Sequence, residues 1–152
     1  MKRHKSLIPL SQDHHNGLML AQLIKKDAPE YRGLPTDLGG KLRYAQDMWK
    51  NELKDHFKNE ENILFPAVSG KNEEIDVLIN ELKNEHSSIE LKIIELNDPT
   101  DIQKELDELG SLLELHIRKE ERIFFQQLQK YCLSELENLD GKITPANRSC
   151  KI

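Results

Sequence analysis

Two histidine–glutamate pairs with the same spacing are the residues of this sequence best suited to chemistry. His56 precedes Glu60 by four residues, and His116 precedes Glu120 by four residues. In a helix this spacing brings both side chains onto one face, with their Cβ atoms about 5–6 Å apart. Neutral imidazole and ionised carboxylate are natural ligands of transition metals. Each pair therefore predicts part of a metal site.

Two further histidines interrupt the apolar faces of other segments with helical periodicity. His86 lies in the middle of an isoleucine and leucine stripe with heptad spacing, and His14 faces the direction of the neighbouring leucines. With the two pairs, they place six ionisable groups on inward faces. Burying such groups without partners costs several kcal/mol per ion, against about 5–15 kcal/mol of net stability for a whole domain. A metal centre compensates them directly, so we favour it over a purely structural role.

An internal repeat relates the two halves of the chain. His56–Phe65 and His116–Phe125 share the pattern H-x-x-x-E-E-x-I-[LF]-F, and Leu10–His14 matches Leu82–His86 as L-x-x-[DE]-H. The chain is thus interpreted as two related helical hairpins. Each hairpin gives one histidine from its first helix and a His-x-x-x-Glu pair from its second. This pseudo-two-fold arrangement predicts two metal ions side by side, bridged by the two glutamates.

The ligand from the first predicted helix is one of two adjacent histidines. His14 is favoured by its alignment with His86 and by the direction of its apolar neighbours. His15 stays an alternative, because the phase of a helix near its start is uncertain by a residue. The predicted metal ligands are therefore His14, His15, His56, Glu60, His86, His116 and Glu120.

Four segments with helical periodicity must position these residues. Ser11 is the predicted N-cap of the first, and Asn97-Asp98-Pro99 is a strong stop after the third. No segment has the alternating pattern of a strand. Because the connections are short, consecutive helices should be antiparallel. The sequence predicts an all-α protein, an up-down-up-down four-helix bundle with helices over residues 11–26, 37–66, 72–97 and 101–131.

The end of the chain is predicted to lie outside the bundle. We divide the chain into a bundle domain of residues 1–133 and a C-terminal tail of residues 134–152. The tail holds at most one short helix and is expected to be a disordered end, with a contact to a partner as the alternative. Cys132 is expected to pack at the end of the fourth helix, and with Cys150 it cannot form a disulfide framework.

Composition excludes several classes of function. The 152 residues carry a net charge of -5, which argues against nucleic acid as the main partner. No run approaches the roughly 18 apolar residues of a membrane span, so no membrane partner is expected. The basic residues 1–5 are followed by Pro9 rather than by the apolar core of a signal peptide. The protein is therefore expected in a reducing cytoplasm.

These motifs resemble the haemerythrin-like family, also called the HHE cation-binding domain. The resemblance spans roughly residues 7–131, and it implies a four-helix bundle around a non-haem di-iron centre. Histidines would be terminal ligands of the two iron ions and two carboxylates would bridge them, with zinc or manganese as alternative metals. The residues that carry the resemblance are Asp13-His14-His15, His56-x-x-x-Glu60-Glu61, Glu85-His86 and His116-x-x-x-Glu120-Glu121.

Two features depart from the oxygen-carrying members of that family. Glu90 stands four residues after His86, where those members have a further histidine, and the fourth helix has His-x-x-x-Glu rather than His-x-x-x-x-Asp. The chain is therefore more similar to members linked to sensing iron, oxygen or nitric oxide, or to repair of iron centres. We interpret Glu90, Glu61 and Glu121 as solvated side chains.

The resemblance favours a binding protein over an enzyme. The predicted function is binding of O2 or NO at the di-iron centre, for sensing or storage of oxygen, NO or iron. An enzyme-like role in detoxifying NO or peroxide, or in repairing iron centres, is the alternative. The bundle accounts for nearly the whole chain, so any signalling is expected to need a protein partner.

Overall fold

The computed structural model describes residues 2–146, which form five helices and no strand. Helix α1 is Ile8–Ile24, α3 is Glu73–Glu95 and α5 is Leu133–Leu139. The long helix α2 consists of Leu38–Met48, Trp49–Leu53, Lys54–Asn59, Glu60–Leu64 and Phe65–Val68. The long helix α4 consists of Ile102–Lys119, Glu120–Phe124 and Phe125–Tyr131.

The all-α fold class is confirmed for these residues, and they form a helical bundle. The up-down-up-down order of the four predicted helices stays a prediction. None of the five helices is both long enough and apolar enough to cross a membrane.

Side-chain caps begin three helices close to the predicted positions. Asp37, Asn72 and Asp101 precede α2, α3 and α4, and each accepts a hydrogen bond from a backbone N–H group of the first turn. These caps satisfy amides that have no partner inside the helix. The sequence could locate these starts because capping depends on residues within one turn.

The predicted start of α1 at Ser11 is wrong. The helix begins at Ile8, after a single 3-10 turn at Lys5–Leu7. Pro9 fits this first turn, where its missing N–H group would have had no partner in any case. The side chain of Ser11 instead donates a 2.8 Å hydrogen bond to Glu121.

Two π-helical stretches begin at corresponding positions of the internal repeat. They are Glu60–Leu64 and Glu120–Phe124, and in each the first carbonyl accepts from the N–H group five residues later. The wider turn rotates the side chains that follow it. As a result Phe124 is fully buried, whereas Ile123, which the heptad spacing predicts to face inward, is 49% exposed.

The apolar core forms two clusters, and the ionisable residues lie between them. On α3, Leu82 belongs to one cluster and Ile89 to the other, with His86 between them. Helix α1 repeats this order around His14. The folding of apolar side chains on both sides therefore fixes the position of the polar ones.

Residues 133–146 pack against the bundle. Leu136, Leu139 and Ile143 belong to one of the two core clusters, and Ala146 is also buried. The expectation of a disordered end is therefore wrong as far as Ala146, because these apolar side chains complete the core. Cys132 is buried as expected. Cys150 lies outside the described residues, and the domain boundary after residue 133 stays a prediction.

Candidate metal centre

Six side chains from four helices converge between the two core clusters. They form two overlapping groups, and within each group one ligand atom per residue lies within 4.8 Å of all the others. All six side chains are buried, and Glu60 and Glu120 belong to both groups. The groups are His14, His56, Glu60 and Glu120, and Glu60, His86, His116 and Glu120.

The Nε2 atoms of the histidines face the oxygens of the two glutamates. Two ligands at right angles around an ion, each at about 2.1 Å, lie about 3 Å apart. The separations in the centre are close to this value. They are 2.7 Å for His116 and 3.7 Å for His14 to Glu120, and 3.0 Å for His86 and 3.5 Å for His56 to Glu60.

These ligand atoms have no hydrogen-bond partner among the described residues. The set comprises the Nε2 atoms of the four histidines and both carboxylate oxygens of Glu60 and Glu120. Although His116 approaches Glu120 to 2.7 Å, the alignment of the two groups is not that of a hydrogen bond. A buried polar atom left unpaired costs about 1–3 kcal/mol. Eight such atoms at one point fit a bound metal, whose natural ligands they are.

A ring of carboxylates holds the other nitrogen of every histidine in the centre. Each carboxylate lies on one helix and accepts a hydrogen bond from the Nδ1 atom of the histidine on the next helix. The ring closes from α4 back to α1. Its members are Asp13 with His56 at 3.0 Å, Glu61 with His86 at 2.6 Å, Glu85 with His116 at 2.7 Å, and Glu121 with His14 at 2.5 Å.

This ring decides which nitrogen of each neutral histidine carries the proton. When Nδ1–H donates to a carboxylate, Nε2 is left with its electron pair directed into the centre. Histidines that bind metals are typically held in this way, because the outer hydrogen bond fixes the ring and makes it more basic. The carboxylate ring therefore prepares all four imidazoles as ligands.

The carboxylate ring was not predicted from the sequence. The interpretation of Glu61 and Glu121 as solvated is wrong, since each bonds a histidine on another helix. Asp13 and Glu85 were identified only as parts of motifs. The available signal was adjacency, because each of the four carboxylates is the sequence neighbour of a ligand. A neighbour points about 100° away around the helix, and in a bundle that direction meets the next helix.

The two glutamates of the centre share a site that favours a cation. Burial raises the pKa of Glu60 well above its ordinary value, and the charge of Glu120 raises it further. Burial also acts against ionisation of Glu120, but the neighbouring Glu60 and the charge of His116 outweigh it and hold the pKa of Glu120 well below the ordinary value. The ligand oxygens of these two carboxylates lie within 4.8 Å of each other. Two buried carboxylates this close need a positive charge between them to stay ionised together.

The histidines differ in how strongly the centre opposes their protonation. Burial and the neighbouring His116 lower the pKa of His86 to about 3, and burial lowers that of His56 although its bond to Asp13 acts in the opposite direction. Burial also disfavours a charged His116, but Glu120 and Glu85 outweigh it and raise the pKa to about 9. A bound cation would balance the negative charge of the carboxylates around His116, so that its imidazole would stay neutral.

Aromatic rings cover two of the histidines. The Phe57 ring stacks on His86, with centroids 3.9 Å apart and planes 13° apart. The Phe125 ring lies nearly parallel to His14, with centroids 5.6 Å apart. A cavity of about 310 Å³ beside Trp49 is lined by Phe57 and His86 among others. A second cavity, of about 460 Å³, is lined by His116 and Glu85 among others. The buried centre thus has cavities of small-molecule size against His86 and His116.

The structure does not bring His15 into either of the two groups formed by residues 2–146. It is exposed on α1, next to the buried His14. The geometry therefore favours His14 as the residue of α1 that faces the centre. Glu90 is exposed, as the sequence analysis expected.

Comparison with known families gives one match. The family model described as Hemerythrin HHE cation binding domain matches residues 10–128. This range contains the six converging side chains and the four carboxylates of the ring. It does not contain residues 2–9 or helix α5. No curated protein and no solved structure matches the chain.

Proposed function

Because the chain belongs to the haemerythrin HHE cation-binding family, we propose that it binds two iron ions and, through them, O2 or NO. The observation that carries this proposal is the convergence of eight buried ligand atoms that have no hydrogen-bond partner within the described part of the chain. In the proposed arrangement, the two glutamates bridge the ions and each ion has two histidines. The ligands are His14 and His56 for one ion, His86 and His116 for the other, and Glu60 and Glu120 for both.

The donor set leaves room for a small ligand. Four imidazole nitrogens and four carboxylate oxygens fill about eight of the roughly twelve positions of two six-coordinate ions. Bound iron supplies an affinity for diatomic molecules that no side chain has. The chain contributes the fixed imidazoles, the exclusion of water by Phe57 and Phe125, and the cavity of about 310 Å³ for access.

We assign this binding a role in sensing or storage of oxygen, NO or iron, in the cytoplasm. A protein partner would carry any signal onward. With a net charge of -5, nucleic acid and anionic membrane surfaces are not proposed as partners. Zinc and manganese remain alternative metals, since both accept imidazole and carboxylate ligands.

An enzyme-like function is the second candidate. It would be detoxification of NO or peroxide, or repair of damaged iron centres. The observation that favours it is the number of histidines in the centre. Only four imidazoles converge among the described residues, and Glu90, which replaces a further histidine of the oxygen carriers, is exposed.

The first experiment is to load the protein anaerobically with iron(II), quantify the metal, and record absorption spectra during exposure to O2 and return to argon. We expect two iron ions per chain and an absorption band that appears with O2 and bleaches under argon. A band that persists, with catalytic consumption of peroxide, would instead favour the enzyme-like function.

Adjacent histidines provide a matched pair of variants for this experiment. His14→Ala should lose iron, whereas His15→Ala should keep it, because only His14 is buried in the centre. Full iron content in His14→Ala, or no iron in the wild-type protein, would overturn the proposed function.

A further inference from the structure

The C-terminal segment reaches one histidine of the centre through a single backbone group. The N–H group of Ala146 donates a buried 3.0 Å hydrogen bond to Oδ2 of Asp13, the same oxygen that accepts from His56. Ala146 is only 4% exposed, and Ile143 is buried in the core just before it. The segment is therefore anchored, and its N–H group restricts the position of the carboxylate that orients His56.

The N-terminal segment reaches a second histidine in the same indirect way. The guanidinium of Arg3 donates to Oε1 of Glu121 at 2.8 Å and to its backbone oxygen at 3.0 Å. The other carboxylate oxygen of Glu121 holds Nδ1 of His14. The same guanidinium lies 5.1 Å from the centre of the Phe125 ring, which stacks on His14. Arg3 thus restrains both of the groups that restrain His14.

Both histidines reached in this way belong to the same candidate metal group. Arg3 and Ala146 both lie outside residues 10–128, the range of the family match. All four carboxylates of the ring lie inside that range, as does Ser11, which also donates to Glu121 at 2.8 Å. Glu85 is in turn held at 2.9 Å by Lys119 of helix α4, also inside it.

We propose that the two terminal segments are positioning elements for one half of the centre, formed by His14 and His56. They make the two metal positions inequivalent, although the internal repeat would make them alike. Loss of the Arg3 or Ala146 contact weakens the binding of the ion in this half, whereas the other ion stays bound. This inference rests on the proposed two-metal centre.

Zinc(II) is a suitable probe, because it is diamagnetic and accepts the same ligands. Release of zinc from the loaded protein to an excess of chelator would be followed over time, with imidazole ¹⁵N spectra to identify the histidines that lose their ion. Ala146→Pro removes the N–H donor, and Ala146→Gly is the matched control that keeps it. Arg3→Met removes the second contact.

We expect Ala146→Pro and Arg3→Met to release one of two zinc ions on the order of tenfold faster, with the change at His14 and His56. The rate for the second ion and both rates in Ala146→Gly should be unchanged. Lys119→Met should instead speed the release of the other ion, with the spectral change at His116, because Lys119 holds the carboxylate of Glu85. If both ions were released faster by the same factor, as a general loss of stability would cause, the inference would be overturned. Equal release rates in Ala146→Pro and Ala146→Gly would also overturn it.

A measurement on metal-free protein separates this inference from the proposed function. The ¹⁵N shifts of the His56 ring report which nitrogen carries the proton. We expect the Nδ1–H form in the wild type and in Ala146→Gly, and a mixture of both forms in Ala146→Pro. Failure of the wild type to bind metal would overturn the proposed function and the difference between the two metal positions, but it would leave the positioning of the His56 ring standing. An unchanged His56 ring in Ala146→Pro would overturn the positioning role.

Discussion

Removal of the metal should destabilise the whole bundle. Eight ligand atoms of the centre are buried without hydrogen-bond partners among residues 2–146, and each such atom costs about 1–3 kcal/mol when left unpaired. Together they represent on the order of 10–20 kcal/mol, which is as large as the entire net stability of a typical domain, about 5–15 kcal/mol. Protonation of Glu60 and His116, whose pKa values are raised, and entry of water recover part of this loss.

We therefore expect the metal-free protein to be less stable by at least about 5 kcal/mol. For a chain of this size, 1 kcal/mol shifts the thermal midpoint by about 2–4 °C, so Tm should fall by roughly 10–20 °C. Calorimetry of metal-loaded and chelator-stripped protein would measure the shift. Both samples need the same pH and salt, and free metal should be kept low because excess ligand itself stabilises the folded state.

A variant without the bridging carboxylates is the control for this prediction. Glu60→Leu combined with Glu120→Leu removes four of the unpaired atoms and the pair of like charges. Without metal, it should be more stable than the stripped wild-type protein by a few kcal/mol, and its Tm should not respond to metal. The reasoning is refuted if the stripped wild-type protein melts within a few degrees of the loaded one, because the eight atoms must then be satisfied in another way.

Two further predictions concern the packing and the surface of the bundle. Gly110→Ala should destabilise the protein by about 1–2 kcal/mol, as measured by urea unfolding. A Cβ atom at this position would lie 2.8 Å from the backbone oxygen of Ala21. The cost of this overpacking exceeds the gain of about 1 kcal/mol in helix propensity. Gly39→Ala, whose Cβ atom would meet side-chain atoms at 3.5 Å, should be neutral or slightly stabilising, and an equal effect of both changes would contradict this account. At the surface, hydrogen bonds from Lys25 and a neighbouring arginine lower the pKa of Glu114 to about 2. Since this folded-state pKa lies below the unfolded one, the stabilisation is present above about pH 4.5 and is lost as the pH falls through 2. Glu114→Gln should cost about 0.5–1 kcal/mol at pH 7 and only a small fraction of that at pH 2. An equal cost at both pH values would contradict this prediction.

The features that the sequence could predict are those determined within one helix. The spacing of His56 and Glu60 places both on one face wherever the helix packs, and Asn72 caps α3 through atoms of its own first turn. The haemerythrin resemblance, which the family match confirms, also rests on such local motifs. Spacing and capping therefore sufficed for the starts of α2, α3 and α4 and for the six side chains that converge.

The features that the sequence analysis missed depend on contacts between distant segments. Heptad spacing assumes a constant turn, so it placed Ile123 inward, but the π-helical turn at Glu120–Phe124 buries Phe124 instead. The role of Glu61 depends on which helix lies beside α2, and that is a property of the packed bundle. The buried position of Ala146 likewise depends on a core surface that is complete only after α5 has packed.

Four dipeptides each combine one residue of the centre with one of the carboxylates that support its histidines: Asp13-His14, Glu60-Glu61, Glu85-His86 and Glu120-Glu121. One member of each dipeptide faces the centre, and the other holds a histidine of the next helix. The internal repeat relates these supports in pairs, Asp13 with Glu85 and Glu61 with Glu121. Arg3 and Ala146 add contacts to Glu121 and Asp13, which support the two histidines of a single group. Under the proposal that the terminal segments position one half of the centre, the two halves are therefore held unequally, by contacts of Arg3 and Ala146 that lie outside the repeat.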